Sequence, residues 1–381
     1  MSRAVVRGVG MHPFGRFGDK PAVQMGVEAI LEALADAGLG WRDVDALYCA
    51  HMYAGTGAGH RIAAVMGATG IPIVNLENAC SSGGAAVQAA RQAIATGEYG
   101  TVLAVGIEKM PRGFMDMDYF DSWRQRIGHA VNPAQFAFQA RRHMHEHGTT
   151  ERQLALVAEK NHAHSVHNEK AMYRKEISAD EVLASKEIVD PLRLLMLCAP
   201  NEGAAAAVLS ERREAADGVT LVGQGLKTAL RSQAIGEHMP TDSPVGPDEA
   251  GVTRRAAAEA YERAGRGPQD LDVVELQDTD SGTEIVATEE LGLCAVGAGG
   301  PLVESGATRL GGRIPVNPSG GLLSKGEPVG ASGLGQVYEI VNQLRGRCGA
   351  RQVPGARVGL THTLGAGGNC SVLIFEREGA A

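Results

Sequence analysis

Glycine is the residue that most constrains what this chain can fold into, because 51 of its 381 residues are glycine, about twice the usual share. Aromatic side chains are scarce by comparison, with 7 Phe, 7 Tyr and 2 Trp. The glycines follow no three-residue period, which excludes a collagen triple helix. We therefore expect a core of small and branched side chains in which neighbouring backbones pack close together.

Charge and hydropathy exclude several classes of protein. The formal net charge of −8 argues against a nucleic-acid partner, since proteins that bind nucleic acid usually present a basic stripe. The sequence contains no run of about 18 apolar residues, the length that a membrane-spanning helix needs, so we expect no membrane association. The first six residues are too short and interrupted for a secretory signal, and we expect a cytoplasmic protein. The six cysteines form no CxxC pair, which predicts free thiols and no metal site.

Alternating strand and helix patterns predict a layered α/β architecture. The first half begins with this alternation and continues, from about residue 110 to residue 200, in a helical stretch rich in methionine and histidine. We interpret that stretch as an insertion above the sheet, with its histidines on a solvated basic helix. The second half repeats the strand–helix order, so we predict two similar halves, residues 1–245 and 246–381.

The first motif with chemical potential surrounds Cys80, between a strand ending at Glu77 and an alanine-rich helix. A cysteine at a helix N-terminus meets free N–H groups and the positive end of the helix dipole, which favour the thiolate. Gly83 and Gly84 would let another backbone or an acyl chain approach. The alternative is that Cys80 is a small buried residue of the core.

The second motif, residues 317–333, is a glycine- and proline-rich loop that precedes a helix and carries Glu327. Such a loop suits a pocket lined by backbone, and we assign substrate binding there to Asn317 and Ser324. The alternative is an ordinary loop with a solvated carboxylate.

The third motif is the turn between the last two predicted strands. Gly367 and Gly368 could present N–H groups to an oxyanion, and His362 could act as a base. The alternative for His362 is a structural histidine whose hydrogen bonds are satisfied.

The fourth motif is a polar cluster at a strand end, where the sites of α/β proteins concentrate. It contains Gln277 and Asp278. The alternative is a helix N-cap followed by solvated acids.

Taken together, these motifs resemble the thiolase superfamily, in particular the branch related to sterol-carrier-protein thiolases. The resemblance covers nearly the whole chain and includes Cys80, residues 168–177, residues 190–206, the loop at 317–333 and the final glycine turn. It implies a five-layered αβαβα fold with two similar halves and an inserted loop domain. It also implies that Cys80 carries an acyl group as a thioester.

The resemblance further implies that His362 stands near the residue that moves the substrate α-proton, and that Gly367 and Gly368 form the oxyanion site. Two departures matter. Thiolases usually carry Gly-His-Pro where this chain has Glu327 between glycine and proline, and a nearby carboxylate opposes thiolate formation. The segment that often reads His-Asp-Ala-Phe begins here with Gln277 and Asp278.

These residues favour a CoA-dependent acyltransferase that cleaves a 3-oxoacyl-CoA through an acyl-cysteine. The Gly-Glu-Pro loop resembles a subgroup that serves branched or aromatic acyl-CoA degradation, such as the benzoylsuccinyl-CoA thiolase type. Cys80 is then the nucleophile and His362 the proton donor, with Glu327, Asp278 and Gln277 acting beside them. Coenzyme A is the co-substrate, and we expect no covalently bound cofactor.

Two alternatives stay open. A thiolase-fold retro-aldolase acting on steroid side-chain CoA esters would need no acyl-cysteine. A lipid-carrier or scaffold subunit would need a partner for any activity. We also expect a homodimer, as thiolases generally form, and a small zinc-ribbon/OB-fold protein as a second subunit, because such a subunit often assists this branch.

Overall fold

The computed structural model describes residues 4–113, 125–128, 130–211, 218–230, 251–366 and 368–377. Its strands are β1 Ala4–Gly15, β2 Ala46–Ala50, β3 Ile73–Leu76, β4 Thr101–Lys109, β5 Glu187–Val189, β6 Leu192–Arg193, β7 Glu202–Ser210, β8 Val219–Thr228, β9 Val273–Glu275, β10 Val358–Gly365 and β11 Asn369–Arg377. Its helices are α1 Ala22–Ala37, α2 Ala58–Met66, α3 Ser82–Ala95, α4 Asn132–His147, α5 Glu151–Ser165, α6 Ala179–Ala184, α7 Val252–Ala264, α8 Ser281–Glu290, α9 Gly299–Glu304, α10 Gly321–Ser324 and α11 Val329–Arg345.

Nine strands form one hydrogen-bonded sheet in the order β3-β2-β4-β7-β1-β8-β11-β10-β9. In the first half β2 pairs parallel with β4, which pairs antiparallel with β7, which pairs antiparallel with β1. In the second half β9, β10, β11 and β8 repeat this pattern. Within the sheet, the two halves meet at three residue pairs of β1 and β8. The predicted similarity of the two halves is therefore confirmed at the level of strand pairing.

The helices complete five layers. Helices α3 and α11 contact strands of both halves and share one apolar core with them, so they form the middle layer. Helices α1 and α2 cover the outer face of the first half-sheet, and α7 and α8 cover that of the second. The αβαβα architecture implied by the resemblance is confirmed.

Glycine explains how these layers approach so closely. A Cβ atom at Gly83 of α3 would lie 2.8 Å from the backbone nitrogen of Leu334 in α11. A Cβ atom at Gly106 of β4 would lie 2.4 Å from the carbonyl oxygen of Gly330. Both distances are far inside van der Waals contact, so the middle layer tolerates no side chain at these positions. The glycine-rich composition thus reflects contact between backbones.

The segment between β4 and β7 contains α4, α5, α6 and the β5–β6 hairpin, and its apolar core also takes in Cys80 and Leu323. The interpretation of its histidines as a solvated basic face is wrong for three of them. His143, His162 and His164 are buried. Each lies within hydrogen-bond distance of a neighbouring protein group and does not face solvent.

Two elements differ from the sequence predictions, and one prediction concerns residues outside the described ranges. Helix α2 was not predicted, and the loop predicted at 317–333 contains the short helix α10 and ends where α11 begins at Val329. The predicted boundary between halves, at residues 245 and 246, lies outside the described residues. Within the described ranges, every helix is too short or too polar to cross a bilayer.

Candidate active site

Cys80 is held at a sharp turn between β3 and α3. Ala79 has a φ of 47°, a left-handed conformation that costs an L-residue roughly 1–2 kcal/mol. The hydroxyl of Ser82 fixes the turn, since it accepts from the N–H of Asn78 at 2.7 Å and donates to the carbonyl of Ala79 at 2.6 Å. The strained turn therefore directs Cys80 into the space below the inserted segment.

Glu327 lies opposite Cys80, in the loop that leads into α11. Its backbone is tied to the segment before β7, because its N–H donates to the carbonyl of Ala199 at 3.1 Å. Its carboxylate faces three donor groups. The side-chain amide of Gln277 donates to Oε1 at 2.8 Å and the thiol of Cys198 donates to Oε2 at 2.8 Å. The thiol of Cys80 is the third group, and its proximity lowers the pKa of Glu327. Glu327 is therefore a buried acceptor, and the alternative of a solvated carboxylate is wrong.

Burial determines where the proton of this pair resides. Desolvation raises the pKa of Glu327, and its three donors lower it in part. Desolvation, followed by the charge of Glu327, raises the pKa of the Cys80 thiol well above its ordinary value. The N–H groups of Ala366 and of Cys80 itself act in the opposite direction. The resting pair is a thiol facing a carboxylate that is more basic than usual, which suits proton transfer upon nucleophilic attack.

Cys198 is the functional candidate that sequence reasoning missed. It lies between β6 and β7, where its N–H donates to the carbonyl of Thr279 at 2.8 Å. Burial and the charge of Glu327 raise the pKa of its thiol well above the ordinary value. The only sequence signal was its position within residues 190–206, which carry part of the family resemblance. No spacing rule joins it to Cys80, 118 positions away.

A cavity of about 600 Å³ opens beside this cluster. Its lining combines Glu327 and Cys198 with apolar side chains of the inserted segment, namely Phe136, Met172, Tyr173, Ile188, Leu194, Leu195 and Leu197. Arg16, Arg112 and His162 add basic groups to the same lining. A volume of this size with a few converging polar groups is typical of a small-molecule site.

His362 reaches the edge of this cluster only through Gln277, whose backbone N–H donates to His362 Nδ1 at 3.4 Å. Along β10, His362 lies on the same face as Leu360, toward α7, whereas Thr361 and Thr363 lie on the other face. Its Nε2 lies 3.1 Å from the hydroxyl of Thr253, and it lines a separate cavity of about 270 Å³. Burial lowers its pKa to about 3, so the ring is neutral at physiological pH.

Three other predicted residues form hydrogen bonds that hold the loop carrying Glu327. The carboxylate of Asp278 accepts from the N–H groups of Leu322 and Leu323 and so caps α10. The remaining contacts hold the loop at 317–333. Asn317 accepts from the N–H of Leu276 at 2.8 Å and donates to Glu284 at 2.9 Å. Ser324 lies 2.6 Å from the hydroxyl of Ser165.

Of the two predicted oxyanion glycines, Gly367 lies outside the described residues. Gly368 has a φ of 70°, and its carbonyl accepts from the N–H of Ala229 at 2.6 Å. The N–H that reaches the Cys80 sulfur from this turn belongs to Ala366.

Comparison with known proteins covers both halves of the chain. The family model "Thiolase, N-terminal domain" matches residues 4–213, and "Thiolase C-terminal domain-like" matches residues 249–377. The chain is 39% identical to sterol carrier protein 2 of Oryctolagus cuniculus, over 99% of this chain and 72% of that protein. It is 38% identical to an acetyl-CoA acetyltransferase of Methanothermobacter thermautotrophicus, over 99% of this chain and 100% of that protein.

Two further relatives extend the comparison. Benzoylsuccinyl-CoA thiolase subunit BbsB of Thauera aromatica is 33% identical, over 96% of this chain and 95% of that protein. The solved structure of an "Ltp2-ChsH2(DUF35) aldolase" superposes with a TM-score of 0.87 at 26% identity, covering 100% of this chain and 99% of that one. Since both halves match thiolase models and the relatives span nearly its whole length, the chain belongs to the thiolase family of acyltransferases.

Proposed function

We propose that this protein cleaves a 3-oxoacyl-CoA by CoA-dependent acyl transfer through a thioester on Cys80, with Glu327 as the base. The observation that carries the proposal is the Cys80 thiol facing a buried carboxylate, whose charge raises the pKa of that thiol, beside a 600 Å³ cavity. A nucleophile next to a base is the arrangement that covalent catalysis requires.

The reaction begins when the Cys80 sulfur attacks the ketone carbon of the substrate and its proton passes to Glu327. The carbonyl becomes an alkoxide, and the N–H groups of Ala366 and Cys80 are donors beside the reacting sulfur. The alkoxide collapses, the C2–C3 bond breaks and its electron pair leaves with the shorter acyl-CoA as an enolate. C2 of the enolate then takes up one proton from the site, so that Glu327 is again a carboxylate. A CoA thiol then takes the acyl group, while Glu327 accepts its proton and returns one to Cys80.

The substrate class we propose is a branched or aromatic 3-oxoacyl-CoA of the benzoylsuccinyl-CoA type. The apolar lining contributed by Phe136, Met172 and Leu194 supports a bulky acyl group, and Arg112 in the same cavity supports an additional carboxylate. A relative of this chain is named for that substrate. The six free cysteines support a reducing compartment, and we propose the cytoplasm.

We also propose a homodimer and a second subunit. Strand β3 is a terminal strand of the sheet, and Val74 on it is 41% exposed, so its open edge supports pairing with a second copy. The superposed aldolase carries DUF35 in its name, which supports a small zinc-ribbon/OB-fold partner for this chain.

The experiment is a turnover assay with benzoylacetyl-CoA, benzoylsuccinyl-CoA and acetoacetyl-CoA, each with and without CoA. We expect cleavage that requires CoA and that Cys80→Ala abolishes. The matched control is Cys294→Ala, because that thiol is only half-buried and neighbours the hydroxyl of Thr288 rather than Glu327. Full turnover by Cys80→Ala would overturn the assignment of the nucleophile.

A retro-aldolase acting on steroid side-chain CoA esters is the second candidate, favoured because the superposed structure is that of an aldolase. This reaction releases a ketone or aldehyde and needs neither an acyl-cysteine nor free CoA. Release of a ketone from a β-hydroxy steroid-side-chain CoA ester without CoA, unchanged in Cys80→Ala, would support it. A strict requirement for CoA would exclude it.

A further inference from the structure

We propose that Cys198 is the acid that protonates the carbon of the departing enolate, so that the two thiols exchange a proton through Glu327. This inference rests on the proposed function and assigns a residue for its proton-transfer step. The thiols of Cys80 and Cys198 are 118 positions apart in the chain, yet both face the same carboxylate, to which Cys198 donates at 2.8 Å.

The geometry gives Cys198 access to the substrate as well as to the base. Its sulfur lies 2.8 Å from Oε2 of Glu327, whereas Oε1 accepts from Gln277. Cys198 itself lines the 600 Å³ cavity, together with Glu327 and Thr279. Its backbone is fixed by the hydrogen bond to the carbonyl of Thr279. A thiol held in this way faces the substrate cavity on one side and the carboxylate of Glu327 on the other.

The proton balance closes around the three groups. When Cys80 attacks, its proton moves to Glu327. Glu327 is then a neutral acid and no longer the charged acceptor of the hydrogen bond from Cys198. The C2–C3 bond then breaks, and C2 takes the proton of the Cys198 thiol while the electron pair of the S–H bond stays on sulfur. The resulting thiolate takes the proton from Glu327. The site returns to a carboxylate and a thiol, with the acyl group on Cys80.

Other titratable side chains of the cavity are less suited to this step. The Nδ1 of His162 lies 3.2 Å from the carbonyl of Lys175, and its ring stacks on Tyr173. Arg16 donates to the carbonyls of Met110 and Pro200. His362 opens into the other cavity. Cys198 combines a proton on a high-pKa thiol with direct contact to the base.

The test separates two reactions in the Cys198→Ser variant, whose hydroxyl still donates to Glu327 but is a far weaker acid. The first reaction is exchange of isotopically labelled CoA into the acyl-CoA whose acyl group Cys80 carries, benzoyl-CoA when the substrate is benzoylacetyl-CoA. This exchange needs acyl transfer to Cys80 but no proton on carbon. The second is cleavage of the 3-oxoacyl-CoA that the wild type accepts. We expect cleavage to fall about 100-fold or more, in keeping with the loss of a general acid, and exchange to stay within about 3-fold.

Deuterium uptake into C2 of acetyl-CoA from D2O gives an independent readout, and we expect it to fall with cleavage. Cys294→Ala is the control and should alter none of the three rates. An equal fall in exchange and cleavage would overturn the proposal in favour of a packing role, and unchanged cleavage and deuterium uptake would overturn it outright. Absence of exchange in the wild type would instead overturn the acyl-enzyme, and with it this inference.

Discussion

Glu327 is the residue whose chemistry separates this protein from the family pattern, which usually has histidine at its position. A histidine can donate or accept, whereas a carboxylate between three donors can only accept. Burial compensates by raising the pKa of Glu327 and so makes it a stronger base. We interpret the substitution as a change from a hydrogen-bond donor near the thioester to a proton acceptor for two thiols.

The pH dependence of turnover tests this role of Glu327. Because the base must be ionised and its pKa is raised, kcat/KM of the wild type should fall as the pH falls through that pKa. Glu327→Gln should lower kcat/KM at neutral pH by about 100-fold or more and remove this acidic limb. Glu327→Asp, which keeps a carboxylate, should retain the limb at a lower rate. Turnover by Glu327→Gln within about 3-fold of the wild type would exclude the proposed base.

At this scale the sequence predicted three of the four side chains in the cluster. Cys80, Glu327 and Gln277 were identified from local motifs, since each motif is contiguous and contains its own turn signals. Cys198 could not be identified, because its role depends on the segment before β7 lying against the loop of Glu327. That contact is made only in the folded chain.

Strand β10 shows how an element decides which side chains reach a site. Side chains alternate between the faces of a strand, so His362 shares the outer face with Leu360, away from α3. The apolar residues at 358 and 360 already carried this alternation in the sequence. The proton transfer predicted for His362 is therefore not supported by a contact with Cys80 or Glu327.

The contact between α3 and α11 should be intolerant of even one methyl group. In Gly83→Ala the new Cβ would lie 2.8 Å from the Leu334 nitrogen and 3.2 Å from the Gly333 Cα, so backbone must move. The helix preference for alanine favours the variant by about 0.5–1 kcal/mol. Overpacking typically costs about 1–3 kcal/mol and should prevail. We expect a lower unfolding temperature and slower acylation of Cys80.

Gly40→Ala is the control for that variant. Gly40 is exposed, has a φ of −101° and would place its Cβ no closer than 3.5 Å to a side-chain oxygen. Its unfolding temperature should stay close to that of the wild type. If Gly83→Ala were as stable and as active as Gly40→Ala, close backbone packing would not explain the glycine content.

At the scale of the whole molecule, the five layers were predictable because repeated strand–helix order and small side chains act together. The pairing of β1 with β8, which joins both halves into one sheet, was not predictable. It involves three residue pairs between strands that are more than 200 positions apart. Local sequence carries no signal for such a contact.

Stability should depend on pH through His164, which is buried between Asn317 and Leu310. Burial lowers its folded pKa to about 3, whereas the unfolded chain binds a proton near pH 6.5. The unfolded state therefore gains protons first as the pH falls, and stability is lost progressively from about pH 6.5 toward pH 3. This residue alone should cost about 2 kcal/mol between about pH 7 and pH 5.

His164→Gln checks this sign. Its amide can replace both hydrogen bonds, so the difference in free energy of unfolding between pH 7 and pH 5 should shrink by about 2 kcal/mol. His60→Gln, at an exposed position, should leave that difference unchanged. An equal pH dependence in His164→Gln and the wild type would contradict a proton-linked role for this residue.

The central claim is that Cys80 carries the acyl group, and peptide mass spectrometry of the quenched enzyme tests it most directly. Wild-type protein is mixed with the cleaved 3-oxoacyl-CoA without free CoA, acid-quenched within one turnover and digested. We predict the acyl mass on the peptide that contains Cys80, its disappearance when CoA is added, and its absence in Cys80→Ala. Turnover without any acyl adduct, or an adduct that persists in Cys80→Ala, would contradict the claim.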